Sequence, residues 1–202
     1  MNRNVITTIL KLGESVIGPA HCGRHKLMLA LARKCAALPG AGAEVGVYKG
    51  GSLIGIAKVL QDKIVYGIDT FTGMPKSRTY EYHKEGDFKD VSFLELKKFF
   101  EERCPNVTLL KGNFPEEDVL QRILETDFCF VHVDVDIYDS TKACLDYFVP
   151  KLVPQGILVV DDYGFSATIG AQRAVDEFTS KLRGSFEHKM TSEGSYKIKR
   201  IK

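Results

Sequence analysis

The sequence predicts an α/β fold: an open, mostly parallel sheet with helices on both faces and a C-terminal antiparallel β-hairpin. Three observations carry this. Short β-rich runs alternate with longer helical segments about five times along the chain, the pattern of a parallel sheet joined by crossover helices. Two of the runs, 128–135 and 156–160, are almost continuously apolar, as strands buried on both faces are. The last two β-rich runs flank a Ser-Glu-Gly turn, which reads as a hairpin.

Each element has a local reason. After an N-terminal helical arm over 1–40, Lys26 to Leu38 is rich in Leu and Ala and stops at Pro39-Gly40. Ala43 to Val47 is the first strand and Ser52 to Leu60 the helix after it. Lys63 to Ile68 is a strand ending at Asp69. Residues 70–90 are polar and aromatic without a period, and a segment of that length inside a compact domain is usually functional. Val91 to Arg103 is helical, Asn106 to Lys111 a strand, and Pro115 to Leu124 a helix opened by proline and acids. Phe128 to Val135 is a buried strand and Thr141 to Val149 a helix, with Asp139 or Ser140 expected to cap it. Gly156 to Val160 is a strand, Ala171 to Leu182 an amphipathic helix, and Ser185 to Met190 with Ser195 to Ile201 the hairpin.

The chain has 202 residues, 44% of them hydrophobic and 27% charged. That is the composition of one globular domain over 1–202, not of a disordered tail or a collagen. Lys and Arg number 28 against 26 Asp and Glu, a net charge of +2, too small a field to argue for nucleic acid. No run approaches the apolar length of a membrane span, and the N-terminus does not read as a signal peptide. Cys22, Cys35, Cys104, Cys129 and Cys144 are odd in number and form no CxxC, so reduced core thiols and a cytoplasmic protein are expected.

Ligands of such sheets bind beyond the carboxyl ends of the strands, so what each strand delivers there matters. The first leads into Glu44-Val-Gly46-Val-Tyr-Lys-Gly50-Gly51-Ser52. Its glycines allow tight turns and close ligand approach, and Glu44 is placed to accept from an ammonium group. The spacing is not GxGxxG. The second strand ends in Asp69, which fits a ribose acceptor in a nucleoside-binding unit or a solvated loop acid. The third ends in Gly112-Asn113-Phe114, able to line a flat heterocycle or to staple the next helix. The fourth carries His132, read as a packed strand histidine, then Asp134 and Asp136. The fifth ends in Asp161-Asp162. Four carboxylates on one sheet edge repel one another unless a cation joins them, and Mg²⁺ takes such oxygens; Asp134, Asp161 and Asp162 are the expected ligands. In the 70–90 segment His83 reads as a substrate contact or, more in keeping with its polar surroundings, a solvated loop histidine, and Tyr80, Tyr82 and Phe88 read as closing a lid over a ligand or as anchoring the loop.

The motifs E-V-G-V-Y-K-G-G-S (44–52), G-I-D-T-F-T-G-M-P (67–75), N-F-P-E-E (113–117), V-D-V-D-I-Y-D-S-T (133–141) and D-D-Y-G (161–164) occur in one order. In this the chain resembles the macrocin O-methyltransferase family, the metal-dependent methyltransferases of antibiotic sugars. The resemblance implies a class I methyltransferase fold and methyl transfer from S-adenosylmethionine to a hydroxyl, typically of a sugar. It implies Mg²⁺ on Asp134, Asp161 and Asp162, with Asp136 as general base beside Asp134. It places the cofactor against Glu44, Gly46, Gly51, Ser52, Asp69, Thr70, Asn113 and Phe114, under a lid formed by 70–90. It also implies a homodimer or higher homo-oligomer; the apolar face of the N-terminal arm either makes that contact or covers the sheet. A catechol-type methyltransferase with a phenolic acceptor shares the fold and metal logic. A nicotinamide oxidoreductase is disfavoured by the missing GxGxxG, and a non-catalytic nucleotide-binding module by the crowded acids.

Overall fold

The computed structural model describes residues 19–202, with side chains from residue 23. The expected helical arm therefore lies, up to residue 18, outside the described residues, as does the Cys22 side chain. Helix α1 (Pro19–Cys35) leads into β1 (Ala41–Val45), α2 (Gly51–Val59), β2 (Val65–Asp69), α3 (Phe93–Arg103) and β3 (Val107–Lys111). Then follow α4 (Glu117–Gln121), β4 (Phe128–Val133), α5 (Tyr138–Phe148), β5 (Leu152–Val160), a 3-10 turn (Ser166–Thr168), α6 (Ile169–Lys181), β6 (Phe186–Met190) and β7 (Tyr196–Arg200). No helix among the described residues is long and apolar enough to cross a membrane.

The seven strands form one sheet in the order β3-β2-β1-β4-β5-β7-β6. β1 to β5 pair in parallel, and β7 runs antiparallel to both β5 and β6. β1 pairs with β2 on one side and β4 on the other, so the winding reverses direction between β1 and β4. Such a reversal opens a crevice at the carboxyl ends of the strands.

The strands are buried for the reason their composition suggested: all six residues of β4 are buried, and so are the last five of β5. One face is covered by α1, α2 and α3 through Met28, Leu31, Leu53, Ile56, Leu96 and Phe100. The other is covered by α4, α5 and α6 through Val119, Cys144, Leu145, Phe148 and Val175. The apolar face of α1 thus covers the sheet, one of the two roles expected of the arm. Cys35, Cys104, Cys129 and Cys144 are free and buried, and burial pushes the Cys35 thiol up to about 12.

Several expected boundaries shift. The first strand is Ala41–Val45, two residues earlier than read, because Gly46 at φ +91° turns the chain out of the sheet. β4 ends at Val133, not Val135, because Asp136 adopts φ +58°. Asp139 and Ser140 do not cap the next helix; both lie inside α5, whose N-cap is Ile137 without a side-chain bond. The free N–H of Tyr138 is met instead by Glu81 from the 70–90 segment, Oε1 at 2.6 Å.

That segment contains no helix or strand, as expected. It is closed on itself by Met74 N–H to Asp87 O (2.7 Å) and Gly86 N–H to Met74 O (2.9 Å). It is fastened outward by Glu81, only 4% exposed, and by Arg78, whose guanidinium spans Asp139 and lies 3.8 Å over the Tyr138 ring.

Phe148 joins the two halves of the second core layer. It is fully buried, stacked on Phe114 at 5.2 Å and edge-on to Phe128 at 5.0 Å. Truncating a buried aromatic removes its transfer energy and leaves a cavity. Phe148→Ala is expected to lower the unfolding free energy in urea by about 3–5 kcal/mol.

Candidate active site

A cavity of about 310 Å³ opens at the winding reversal. Backbone ladders beyond the strand ends bring its walls together: Gly46 N–H to Ile68 O, Asp134 N–H to Val45 O and Asp161 N–H to Val133 O, each 2.9 Å. At Gly46 the backbones nearly touch. A Cβ there would lie 1.7 Å from the Asp134 carbonyl oxygen, so only glycine fits.

One wall is formed by Gly46, Tyr48, Asp69, Thr70, Asn113 and Phe114. Asp69 organises it. Its Oδ2 accepts from Tyr48 N–H at 2.9 Å and its Oδ1 from Phe71 N–H at 2.8 Å. Tyr48 and Phe71 both hold left-handed backbones, φ +47° and +51°, a conformation costly for side-chain-bearing residues. The carboxylate that stabilises both turns keeps lone pairs for a ligand, since two oxygens offer about four acceptor sites. Thr70 Oγ1 donates to Gly73 O at 2.6 Å and steadies the next turn.

The opposite wall carries Asp134, Asp136, Asp161, Asp162 and Arg24. Ligand-type atoms of Asp134, Asp136 and Asp162 all lie within 4.8 Å of one another, and so do those of His132, Asp134 and Asp161. Arg24 Nη1 meets Asp161 Oδ2 at 2.7 Å and Asp162 Oδ1 at 3.3 Å, while its guanidinium lies 4.4 Å over the Phe165 ring. Asp161 Oδ1 takes Ser195 Oγ at 3.2 Å. Asp162 Oδ2 is buried without a partner.

Crowding sorts the protons of these acids. Burial, then the charges of Asp162 and Asp161, holds Asp134 well above the usual carboxylate range. Burial and then Asp162 push Asp136 up to about 8. Burial also raises Asp161, but His132, Arg24 and Ser195 outweigh it and leave this carboxyl below its ordinary value. His132 is opposed by its own burial, yet Asp161 and Glu44 hold it well above an ordinary imidazole.

Of the residues expected at the site, Gly46, Asp69, Thr70, Asn113, Phe114, Asp134, Asp136, Asp161 and Asp162 line the cavity. Three do not. Glu44 stands opposite His132 in the β1–β4 register and is 0% exposed, its Oε1 at 2.7 Å from His132 Nδ1. The expected reach to a ligand's ammonium is therefore corrected: its partner is the buried imidazole. Gly51 and Ser52 form the first turn of α2, after the turn closed by Gly50 N–H to Val47 O (2.8 Å) has carried the chain off the wall. His132 is packed as expected, but its Nε2 lacks a hydrogen bond and lies 3.8 Å from Asp161.

Arg24, Tyr48, Met74 and Pro75 line the cavity without having been singled out, and Phe88, one of the three aromatic candidates of the 70–90 segment, lines it too. Arg24 arrives from α1, far away in sequence, and nothing local marks it. Tyr48 and Phe88 carried a weak signal, aromatic residues in polar loops, and meet edge-to-face at 5.3 Å.

A sheet of this order, with its cleft beyond β1, β2 and β4 and an antiparallel final pair, is a class I methyltransferase architecture. The family model of macrocin O-methyltransferase (TylF) matches residues 7–189, and the chain belongs to that family. The 8-demethyl-8-(2,3-dimethoxy-alpha-L-rhamnosyl)-tetracenomycin-C 4'-O-methyltransferase of Streptomyces olivaceus is 29% identical over 146 residues, 64% of this chain and 55% of that protein. Demethyldecarbamoylnovobiocin O-methyltransferase of Streptomyces niveus is 28% identical over 161 residues, 72% of this chain and 60% of the relative. The chain thus spans little more than half the length of these curated relatives. The solved structure of the O-methyltransferase NovP superposes with a TM-score of 0.71 at 25% identity, covering 86% of this chain and 79% of that one.

The proton distribution sets a pH dependence. An unfolded aspartate is ionised above its ordinary value near 4, whereas folded Asp136 keeps its proton up to about 8. Folded His132 likewise keeps a proton above 6.5. The folded state therefore binds more protons than the unfolded between pH 6.5 and 8, so raising pH favours unfolding. Each extra proton held is worth about 1.4 kcal/mol per pH unit. The melting temperature in EDTA is expected to fall across that interval, as calorimetry at half-unit steps would measure.

Proposed function

We propose that this chain is a single-domain, S-adenosylmethionine- and Mg²⁺-dependent O-methyltransferase acting on a hydroxyl of a sugar or glycosylated small molecule. One observation carries the reading: in a chain of this family, a single cavity joins the Asp69–Asn113–Phe114 wall to the four-acid wall.

The residues fit a hard divalent cation. The donors are carboxylates, the proper ligands for Mg²⁺, and Asp162 Oδ2 is buried without a partner. Asp134 and Asp136 are raised first by burial and then by neighbouring carboxylate charge that a cation would neutralise. Asp134, Asp161 and Asp162 would hold the ion, which supplies Lewis acidity toward the acceptor hydroxyl. S-adenosylmethionine supplies a sulfonium methyl that needs no activation by the protein.

The chain's own residues do the rest. Asp69 would accept from the ribose hydroxyls with the lone pairs that Tyr48 and Phe71 leave free. Gly46, lacking a side chain, lets the ligand approach the β1 turn. Asn113 and Phe114, which line the same wall, would flank the base. Once a cation neutralises the neighbouring acids, Asp136 would be ionised and, aimed into the cavity by its left-handed backbone, takes the proton of the attacking hydroxyl. The 70–90 loop, anchored at Glu81, excludes water from the cleft. Family relatives named for rhamnosyl and novobiocin compounds support a glycosidic acceptor.

Calorimetric titration with S-adenosylhomocysteine in Mg²⁺ buffer tests the cofactor class. Micromolar binding is expected, weakened about 10- to 100-fold in Asp69→Ala by loss of charge-assisted hydrogen bonds. Absence of binding would overturn the proposal. In a screen of rhamnosides and catechols run side by side, transfer to glycosides is expected, and transfer to catechols alone would overturn the sugar acceptor. Asp136→Asn is expected to lose about 10²–10⁴-fold in turnover with unchanged S-adenosylhomocysteine affinity. The double variant Asp161→Ala, Asp162→Ala should lose Mg²⁺ dependence. Millimolar Mg²⁺ should also flatten the fall in melting temperature between pH 6.5 and 8 in the wild type but not in the double variant.

A further inference from the structure

His83 stands at the end of the cleft where the 70–90 loop meets Asp136. Its side chain is 16% exposed. The ring is edge-on to Tyr82 at 5.3 Å and tilted against Phe88 at 5.5 Å, and Phe88 in turn meets Tyr48. Backbone and neighbour are also held: Ser77 Oγ donates to the His83 carbonyl at 2.6 Å, and Lys84 N–H donates to Asp87 Oδ2 at 2.9 Å. In this setting the two ring nitrogens face two carboxylates. Nδ1 lies 3.7 Å from Asp87 Oδ2 and Nε2 lies 3.9 Å from Asp136 Oδ1. Asp136 is 18% exposed at the cavity, while Asp87 is 45% exposed. Asp136, His83 and Asp87 therefore form a line from the reaction cavity to solvent.

We propose that His83 is a second proton carrier of the transfer, receiving from Asp136 the proton released by the acceptor hydroxyl and discharging it to solvent beside Asp87. The inference rests on the methyltransferase reading above. The balance is complete. The acceptor oxygen bonds to the methyl carbon, the sulfur–methyl bond breaks, and its electron pair stays on sulfur as a neutral thioether. The hydroxyl proton passes to the Asp136 carboxylate and then to His83 Nε2. With Nδ1–H turned to Asp87, the Nε2 lone pair is the one offered to Asp136, and the imidazolium formed is stabilised by Asp87. The other charged groups facing Asp136 are Asp134, Asp161, Asp162 and Arg24. A proton passed to any of these acids stays inside the site, and a guanidinium has no acceptor to offer. The 3.9 Å gap exceeds hydrogen-bond reach by less than 1 Å, and such gaps in ligand-free enzymes tighten when substrate binds.

The test compares His83→Ala and His83→Gln with the wild type, using S-adenosylmethionine, Mg²⁺ and p-nitrophenyl α-L-rhamnoside. Both variants are expected to lose about 10²-fold in turnover while S-adenosylhomocysteine affinity, measured calorimetrically, stays within a factor of two. Imidazole at tens of millimolar should restore the alanine variant, which leaves room for it, and not the glutamine variant. A glutamine variant at the wild-type rate would reduce His83 to a positioning role and overturn the proposal. So would an alanine variant that imidazole leaves unchanged. A wild type that binds no S-adenosylhomocysteine overturns the methyltransferase reading itself, and the role of His83 with it; a wild type that turns over alongside an equally active alanine variant overturns the role of His83 alone.

Discussion

The contact between Gly46 and the Asp134 carbonyl governs the geometry of the cleft. Two parallel strands leave the sheet side by side, and the missing side chain at Gly46 lets their ends stay within van der Waals reach. Because β1 and β4 end at the same register position and the chain turns away at Gly46, the β2 end delivers Asp69 to one side and the β4 and β5 ends deliver their acids to the other. A side chain at position 46 would wedge these ends apart, and the two walls would no longer share a cavity. Distances across the cavity are thus fixed by backbone, the stiffest material the fold has.

Rigid placement has an electrostatic cost. Four carboxylates are carried into a poorly solvated edge by strands that have no freedom to separate them. The protein balances this with cations of its own. Arg24 reaches across from α1, and His132 supports Asp161 from beneath with Glu44 behind it. The result is asymmetric. Asp161 is ionised readily, whereas Asp134 and Asp136 retain protons. An edge arranged in this way is strongly biased toward taking up a further positive charge, and the buried, unpartnered oxygen of Asp162 marks where the bias is greatest.

Most of the architecture was legible because parallel strands buried on both faces leave continuous apolar runs, as in 128–133 and 157–160. The strand-end acids were legible for the same reason: a carboxylate directly after such a run has nowhere to go but the sheet edge. Legibility failed where the deciding contact is long-range or conformational. Asp136 faces the cavity through a positive φ rather than through continued strand alternation. Glu44 looked like a ligand contact, but its partner is 88 residues away across the sheet. Asp139 looked like a cap, but the carboxylate that caps α5 comes from Glu81, 57 residues earlier. Arg24 gave no local sign at all, since its role exists only once α1 has folded over the acid cluster.

The way the 70–90 loop is attached has a consequence for how such proteins diversify. It is pinched shut at its base by Met74, Gly86 and Asp87, and it is tied to the body by Glu81 at a helix end. Length and composition between those ties can change without disturbing strand register or core packing, because no core residue lies there beyond the base. The loop is in effect an interchangeable part mounted on a fixed socket. A change of sequence between the ties is therefore felt at His83 and the mouth of the cavity, while the strand-end walls keep their backbone geometry.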